Sequence, residues 1–274
     1  MKSQFEKAEA FAAMHAAGSF VIPNPWDRGS ARLLAGLGFQ ALTTTSAGYA
    51  RSLGVSDYKA GRDHVLAHVR DLEPATDLPL AADLENGFGH RPEDCAETIR
   101  LGAEAGLVGG SIEDATGEGE PIYGLAAATD RIRAAAEAAR GLPFRFMLVA
   151  RCENYLHGRR DLKDTIARLQ AYQEAGADVL YAPGLSTGEE IGEVCRSVDR
   201  PVNVLGGLGA NPLSVGQLAE LGVRRVSVGS LLHSAATTAF VKASEEIKAG
   251  TFGFVGDLTA GSAFDGLLDA GTPK

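Results

Sequence analysis

The sequence predicts a parallel (β/α)8 barrel of the TIM type, and three observations carry the prediction. Short apolar runs alternate with helix-length segments along all 274 residues, the pattern of a parallel sheet wrapped in helices. Four segments repeat a helix end, a glycine and an apolar strand: LAGLGFQALTT, GAEAGLVGGSIED, YQEAGADVLYAPG and LAELGVRRVSVGS. Strand starts are bland, whereas strand ends carry polar and charged residues, as in barrels that build function on their C-terminal face. A doubly wound open sheet is the alternative arrangement of the same elements.

The elements follow in order. MKSQFEKAEAFAAMHAAG mixes charges into apolar positions at helical spacing, so it reads as an amphipathic helix and not as a signal peptide. Ser19-Phe20-Val21-Ile22 is the first strand, running into Pro23-Asn24-Pro25-Trp26-Asp27. Gly38, Gly106, Gly176 and Gly222 suit left-handed caps that turn a helix back into a strand. Pro79, Pro143 and Pro201 open the strands of LPLAADLE, LPFRFMLVAR and RPVNVLGG, where no ladder donor is needed. Together these make eight strands. Helices are expected over 27–37, 61–73, 92–106, 125–140, 161–175, 186–197, 213–221 and 230–249. A last short helix carries Phe264, Leu267 and Leu268. A closed barrel has no need of it, so it is expected to pack on a neighbouring subunit, with folding back on its own barrel as the alternative. No linker or low-complexity segment divides the chain, so 1–274 is expected to be one barrel domain with 250–274 as a helical extension.

Composition narrows the function. A formal net charge of −9 argues against nucleic-acid or membrane-surface binding. No apolar run approaches the roughly 20 residues that span a bilayer. Cys95, Cys152 and Cys195 show neither pairing nor zinc spacing, which suits a reducing cytoplasm.

The chemistry gathers where apolar runs break into acids. In LPLAADLENGFG the core run ends at Asp83, with Glu85 two residues on; the next strand ends in Glu113-Asp114. Acids brought together at neighbouring strand ends offer hard oxygen ligands without imidazole or thiolate, a set that suits Mg2+ or Mn2+. Taken singly, each acid has an alternative role, capping a helix or pairing with arginine. Arg151 follows Phe146-Met147-Leu148-Val149-Ala150 and emerges at the same level. Its guanidinium can hold a substrate carboxylate or neutralise Glu113. Thr44-Thr45-Ser46-Ala47-Gly48 ends the second strand with small residues whose backbone N–H groups can approach an anion. Asn203 and Ser230 also end strands. Cys152 should point away from Arg151 and pack, and His90 and His233 could each be a base at the rim, with a surface or supporting histidine as the alternative.

PNPWDRGSARLLAGLGFQALTTTSAG, LGVSD, PLAADLENGFG, GLVGGSIED and LVARCEN, in this order and spacing, resemble the isocitrate lyase and phosphoenolpyruvate mutase superfamily. The resemblance implies a (β/α)8 barrel, Mg2+ and substrates that are 2-oxo acids or become them. It also implies a dimer of dimers, a homotetramer, with the eighth helix swapped between partners. On this resemblance Asp83 reaches the metal, while Asp57, Glu85 and Glu113 hold its waters. Arg151 binds the substrate carboxylate, Ser46, Ala47 and Gly48 receive its oxygens, and Trp26 lines the site. Glu85 stands where many members carry aspartate. The stretch after Asp114, ATGEGEPIYG, lacks the cysteine-bearing motif of the lyases in their gating loop and the asparagine-bearing loop of the phosphonomutases. Tyr123, Glu118 and Glu120 are the groups that loop can offer instead.

The expected function is therefore a Mg2+-dependent carbon–carbon lyase acting on a 2-oxo acid or a 2-hydroxy di- or tricarboxylate through an enolate. Arg151, Glu113 and Tyr123 form the expected catalytic set. Trp26, Ser46, Ala47, Gly48, Asp83, Arg151 and Asn203 are expected to hold the substrate. An oxaloacetate-type decarboxylase or hydrolase, a phosphonomutase, and a 2-oxo acid binder without turnover are the alternatives.

Overall fold

The computed structural model describes residues 1–119, 121–209 and 212–273. Eight strands alternate with helices as expected. They are β1 (Phe20–Ile22), β2 (Leu42–Thr43), β3 (Leu80–Asp83), β4 (Gly109–Glu113), β5 (Met147–Arg151), β6 (Val179–Tyr181), β7 (Val202–Leu205) and β8 (Arg225–Ser227). The helices are α1 (Gln4–Ala16), α2 (Arg28–Gly36), α3 (Ser46–Ser52), α4 (Arg62–Leu72), α5 (Pro92–Glu104), α6 (Leu125–Arg140), α7 (Leu162–Ala175), α8 (Gly188–Ser197), α9 (Val215–Glu220), α10 (Leu231–Lys248) and α11 (Gly261–Ala270). Every neighbouring strand pair is parallel, in the order β1-β8-β7-β6-β5-β4-β3-β2. Thr43 N donates to Pro23 O at 3.1 Å across the remaining seam. Asn24 reinforces it: its amide donates to Thr44 O at 2.9 Å, and its oxygen accepts from Val228 N and Gly229 N.

The pleat divides the core in two. Met147 and Val149 of β5 join Ile22, Ala81, Val179 and Tyr181 inside the barrel, while Leu148 and Ala150 face the surrounding helices. Ala8, Phe11 and Ala12 of α1 belong to the inner cluster, so the N-terminal helix plugs the barrel. Cys152 is fully buried in the outer core, as its alternation with Arg151 requires. The four expected cap glycines all have positive φ, 90° at Gly38, 110° at Gly106, 108° at Gly176 and 97° at Gly222.

Three departures matter. The sequence reading has no counterpart for α3, because Ser and Gly are poor interior helix formers. Thr45 starts it by accepting from Gly48 N at 3.2 Å, so the expected anion loop is the first turn of a helix. The last helix, α11, packs against α2 of its own barrel and not on a neighbouring subunit as expected. The long α10 buries only His233 and leaves Phe240, Val241 and Ile247 exposed. Among the described residues no helix is long and apolar enough to cross a membrane.

Candidate active site

Strand register assembles the site. Asp83 of β3 pairs with Ser111, and Glu113 of β4 pairs with Arg151 of β5, so an acid and a guanidinium meet at adjacent strand ends. Arg151 is shared by three carboxylates: Nη1 lies 3.0 Å from Asp83, Nη2 3.1 Å from Glu113 and Nε 2.9 Å from Glu153. Asp83 also accepts from Ser46 Oγ at 2.9 Å, and its own backbone N–H donates to Thr44 Oγ1 at 3.0 Å. The Tyr58 hydroxyl donates to Glu113 Oε1 in a short hydrogen bond.

The charges do not balance here. Burial disfavours the Arg151 charge, but Glu153, Glu113 and Asp83 outweigh it and hold the guanidinium protonated well above its usual range. Burial lifts Glu113 well above the ordinary carboxylate range, with Arg151 pulling against it. Glu85 is pushed up to about 8 by burial, then by Asp83 and Asp57, and its Oε1 is buried without a partner. Asp57 is raised by burial and by Asp83. One guanidinium among Asp57, Asp83, Glu85, Glu113 and Glu153 leaves excess negative charge and an orphaned oxygen, a donor set of hard oxygens that fits a divalent cation. Among the described residues no three acidic, histidine or cysteine side chains lie close enough to enclose an ion by themselves. The fit is therefore to an ion that keeps part of its water shell, as Mg2+ does.

Two cavities are lined by members of this acid group, Asp57 and Asp83 in one and Glu85 in the other. An inner one of about 280 Å3 opens at the barrel mouth and is lined by Ser46, Ala47, Asp57, Asp83, Arg151 and Asn203 among others. An outer one of about 760 Å3 lies between the segment after α3, the β3–α5 loop and Thr116–Glu118 of the β4–α6 loop. Tyr58, Glu85 and Phe88, the three non-glycine residues with positive φ among those described, all line the outer cavity. Backbone strain of this kind concentrates at functional sites.

The expected residues are not all gathered. Trp26 and Gly48 stand apart from the inner lining: Trp26 packs edge-on to the His233 ring at 5.3 Å, and a Cβ on Gly48 would press on Thr45 and His233. Tyr123 lies at the rim, its hydroxyl 2.7 Å from His90 Nδ1, while His90 Nε2 reaches Glu118 at 2.8 Å. This bridge ties the β4–α6 loop to the β3–α5 loop, aided by the Asn86 amide donating to Thr116 O at 2.9 Å. Glu120 lies outside the described residues. Asp114 turns away from its neighbour Glu113. It accepts from Glu153 N at 2.7 Å, from Arg168 Nη1 at 3.0 Å and from Tyr172 Oη at 2.6 Å, in a buried network behind β4.

Sequence reasoning passed over Tyr58, Tyr181, whose ring lies 5.3 Å from the Arg151 guanidinium, and Arg225 on the inner wall. Tyr58 follows Asp57 directly, and Arg225 and Ser227 alternate along β8, so period-2 reading of VRRVSVG was the available signal.

Residues 11–248 match the phosphoenolpyruvate phosphomutase family. The chain belongs to that family. It is 34% identical over 238 residues to the uncharacterised Mycobacterium tuberculosis protein MT2054, with 86% of this chain and 87% of that one covered. A crystal structure of a candidate lyase/mutase from Burkholderia cenocepacia J2315 superposes with a TM-score of 0.93 at 58% identity, covering 96% of this chain and 95% of the other. The 2-methylisocitrate lyase of Escherichia coli strain K12 is 31% identical over 186 residues, 64% of this chain and 62% of the enzyme. The phosphoenolpyruvate phosphomutase family sits within the isocitrate lyase and phosphoenolpyruvate mutase superfamily of lyases and mutases, the grouping the strand-end motifs suggested.

Proposed function

We propose that this protein is a metal-assisted carbon–carbon lyase that cleaves a small 2-hydroxy or 2-oxo acid through an enolate. The observation that carries the reading is the uncompensated acid group at the barrel mouth, where Glu85 Oε1 is buried without a partner beside Asp57 and Asp83. Asp83 would reach the divalent cation, with Asp57, Glu85 and Glu113 holding its waters. The ion supplies electrostatic stabilisation of negative charge developing on the substrate oxygens.

The chain's own groups do the rest. Arg151 fixes the acids in place, and a substrate carboxylate reaches its guanidinium by exchanging with one of the three already there. Ser46 holds Asp83 through its hydroxyl. The Tyr58 hydroxyl, bonded to buried Glu113 on the wall of the outer cavity, is the proton carrier that stands in for the missing loop cysteine. Tyr123, His90 and Glu118 latch the gating loop and so exclude water from the inner cavity. Exchange of α10 between two copies would cover its exposed Phe240 and Val241.

The test is Mg2+-dependent binding of oxalate, a mimic of a two-carbon enolate, together with turnover of 2-hydroxy and 2-oxo diacids. Binding that vanishes in Asp83→Ala and slow turnover in Tyr58→Phe are expected. Oxalate binding that ignores both Mg2+ and Asp83→Ala would overturn the reading.

A further inference from the structure

Besides Arg151 and Arg51, the inner cavity holds a third guanidinium, which the chemistry at the mouth leaves unused. Arg225 is the first residue of β8 and turns into the barrel, between the mouth and the α1 plug. Its relative exposure is 4%, and both Nε and Nη1 are buried without a hydrogen-bond partner. Its surroundings offer no acid. The Phe11 ring lies 5.8 Å from the guanidinium carbon, and His15 beneath it is kept neutral, its pKa lowered to about 3 by burial and then by Arg225. Burial pulls Arg225 itself down to about 10, with only the Tyr181 phenol opposing. The contrast with Arg151, whose three nitrogens each meet a carboxylate, is complete.

Its register partner is also unfilled. Asn203 pairs with Arg225 across β7 and β8, donates its amide to Ser227 Oγ at 3.0 Å, and has a buried Oδ1 with no partner. All three residues line the cavity that Asp83 and Arg151 line at its rim. Strands in such a barrel are tilted, so the register path from Glu113 through Arg151, Tyr181 and Asn203 to Arg225 descends from the rim toward the plug. One cavity thus has an acid-lined rim that calls for a cation and a floor that calls for an anion. Buried donors and acceptors are rarely left empty without a ligand or water to fill them.

We propose that Arg225, with Asn203 beside it, is an anion receptor at the floor of the cavity that reads the distal carboxylate of a compact dicarboxylate. This assignment rests on the reading of the cavity as the active site. It narrows the substrate class from 2-hydroxy or 2-oxo acids in general to those with a second carboxylate on the far side of the reacting carbons. Arg225 supplies the planar fork for that carboxylate, and Asn203 Oδ1 accepts from a hydroxyl or water that accompanies it. The unpaired guanidinium is a cost the empty protein carries and the ligand removes.

The experiment is calorimetric titration of the full chain with Mg2+ and matched pairs: malate against 2-hydroxybutyrate, and 2-hydroxyglutarate against 2-hydroxyvalerate. Within each pair only the distal carboxylate differs. Wild type should prefer the diacid by about tenfold or more at the better chain length, the range of a charge-assisted hydrogen bond. Arg225→Met should bring the two within about threefold, and Arg225→Lys should keep part of the preference, since a lysine makes no bidentate contact. Oxalate with Mg2+ engages only the rim and should bind all three proteins alike. Arg225→Met should also melt higher than wild type without ligand, because it removes an unpaired buried charge. Equal binding of diacid and monoacid by wild type, or a preference that survives in Arg225→Met, overturns the proposal. If Arg225→Met does not fold, the wild-type and Arg225→Lys comparisons decide. Loss of oxalate binding in wild type overturns the active-site reading instead, and the matched pairs titrated without Mg2+ then judge the floor receptor by itself.

Discussion

Replacing Glu85 by glutamine tests the electrostatics of the mouth most directly. The carboxyl is buried, its Oε1 has no partner, and burial with Asp83 and Asp57 raises its pKa from 4.5 to about 8. A carboxyl whose folded pKa is raised favours the folded state while protonated. That contribution is fully present below pH 4.5 and is lost as the pH rises through 8. For the metal-free protein the loss between pH 5 and pH 8 is on the order of 3 kcal/mol, since each pH unit between the two pKa values is worth about 1.4 kcal/mol. In a chain of this size that lowers the melting temperature by about 6–12 °C. Thermal melts from pH 5 to 8.5 in chelator should show the fall in wild type. Glu85→Gln should flatten much of it, leaving the part due to Asp57 and Glu113, whose pKa values are raised too. Saturating Mg2+ should restore wild type at pH 8 and do far less for Glu85→Gln, because only the folded state binds the ion. Identical pH profiles for the two proteins, or melts indifferent to Mg2+ in both, would refute the argument that these acids are held in wait for a cation.

Two further substitutions probe the frame around the site. Asp114→Asn removes one of the two carboxylates that Arg168 meets, leaving it Asp164 at 2.8 Å, and weakens the buried network behind β4; it should cost about 1–3 kcal/mol, seen as a lower melting temperature in the presence and absence of Mg2+. Gly36→Val drives a side chain into the Leu267 carbonyl oxygen of α11. Hydrogen exchange should accelerate at least about tenfold across 261–270 while the barrel strands keep their protection; uniform acceleration would mean that α11 is part of the barrel's cooperative unit.

Much of the site was legible because strand ends announce themselves. A run such as MLVA cannot continue in the core once it reaches Arg151, and LAAD stops at Asp83 for the same reason. Both residues meet in the structure at 3.0 Å. What a residue type at a strand end cannot reveal is its company. Arg151 proved to be surrounded by three acids, one of them Glu153, and Glu113 and Asp114 parted to opposite sides of β4. Trp26 sits near the right strand end but packs against His233 in a T-shaped pair.

Local periodicity and punctuation by themselves determined the eight strands, their order of appearance, the helices between them and the level at which acids leave the core. These depend on propensities and patterns that act over a few residues. Only the tertiary structure decided which side chains share a cavity. Barrel tilt and register bring Arg225, some 200 positions after Asn24, onto the same wall as Asn203 and Asp83, and no local pattern records that distance. The same holds for α11 folding onto α2 and for Tyr58 reaching Glu113. Such contacts are set by how the closed sheet places its strands relative to one another, a property of the whole barrel and not of any segment.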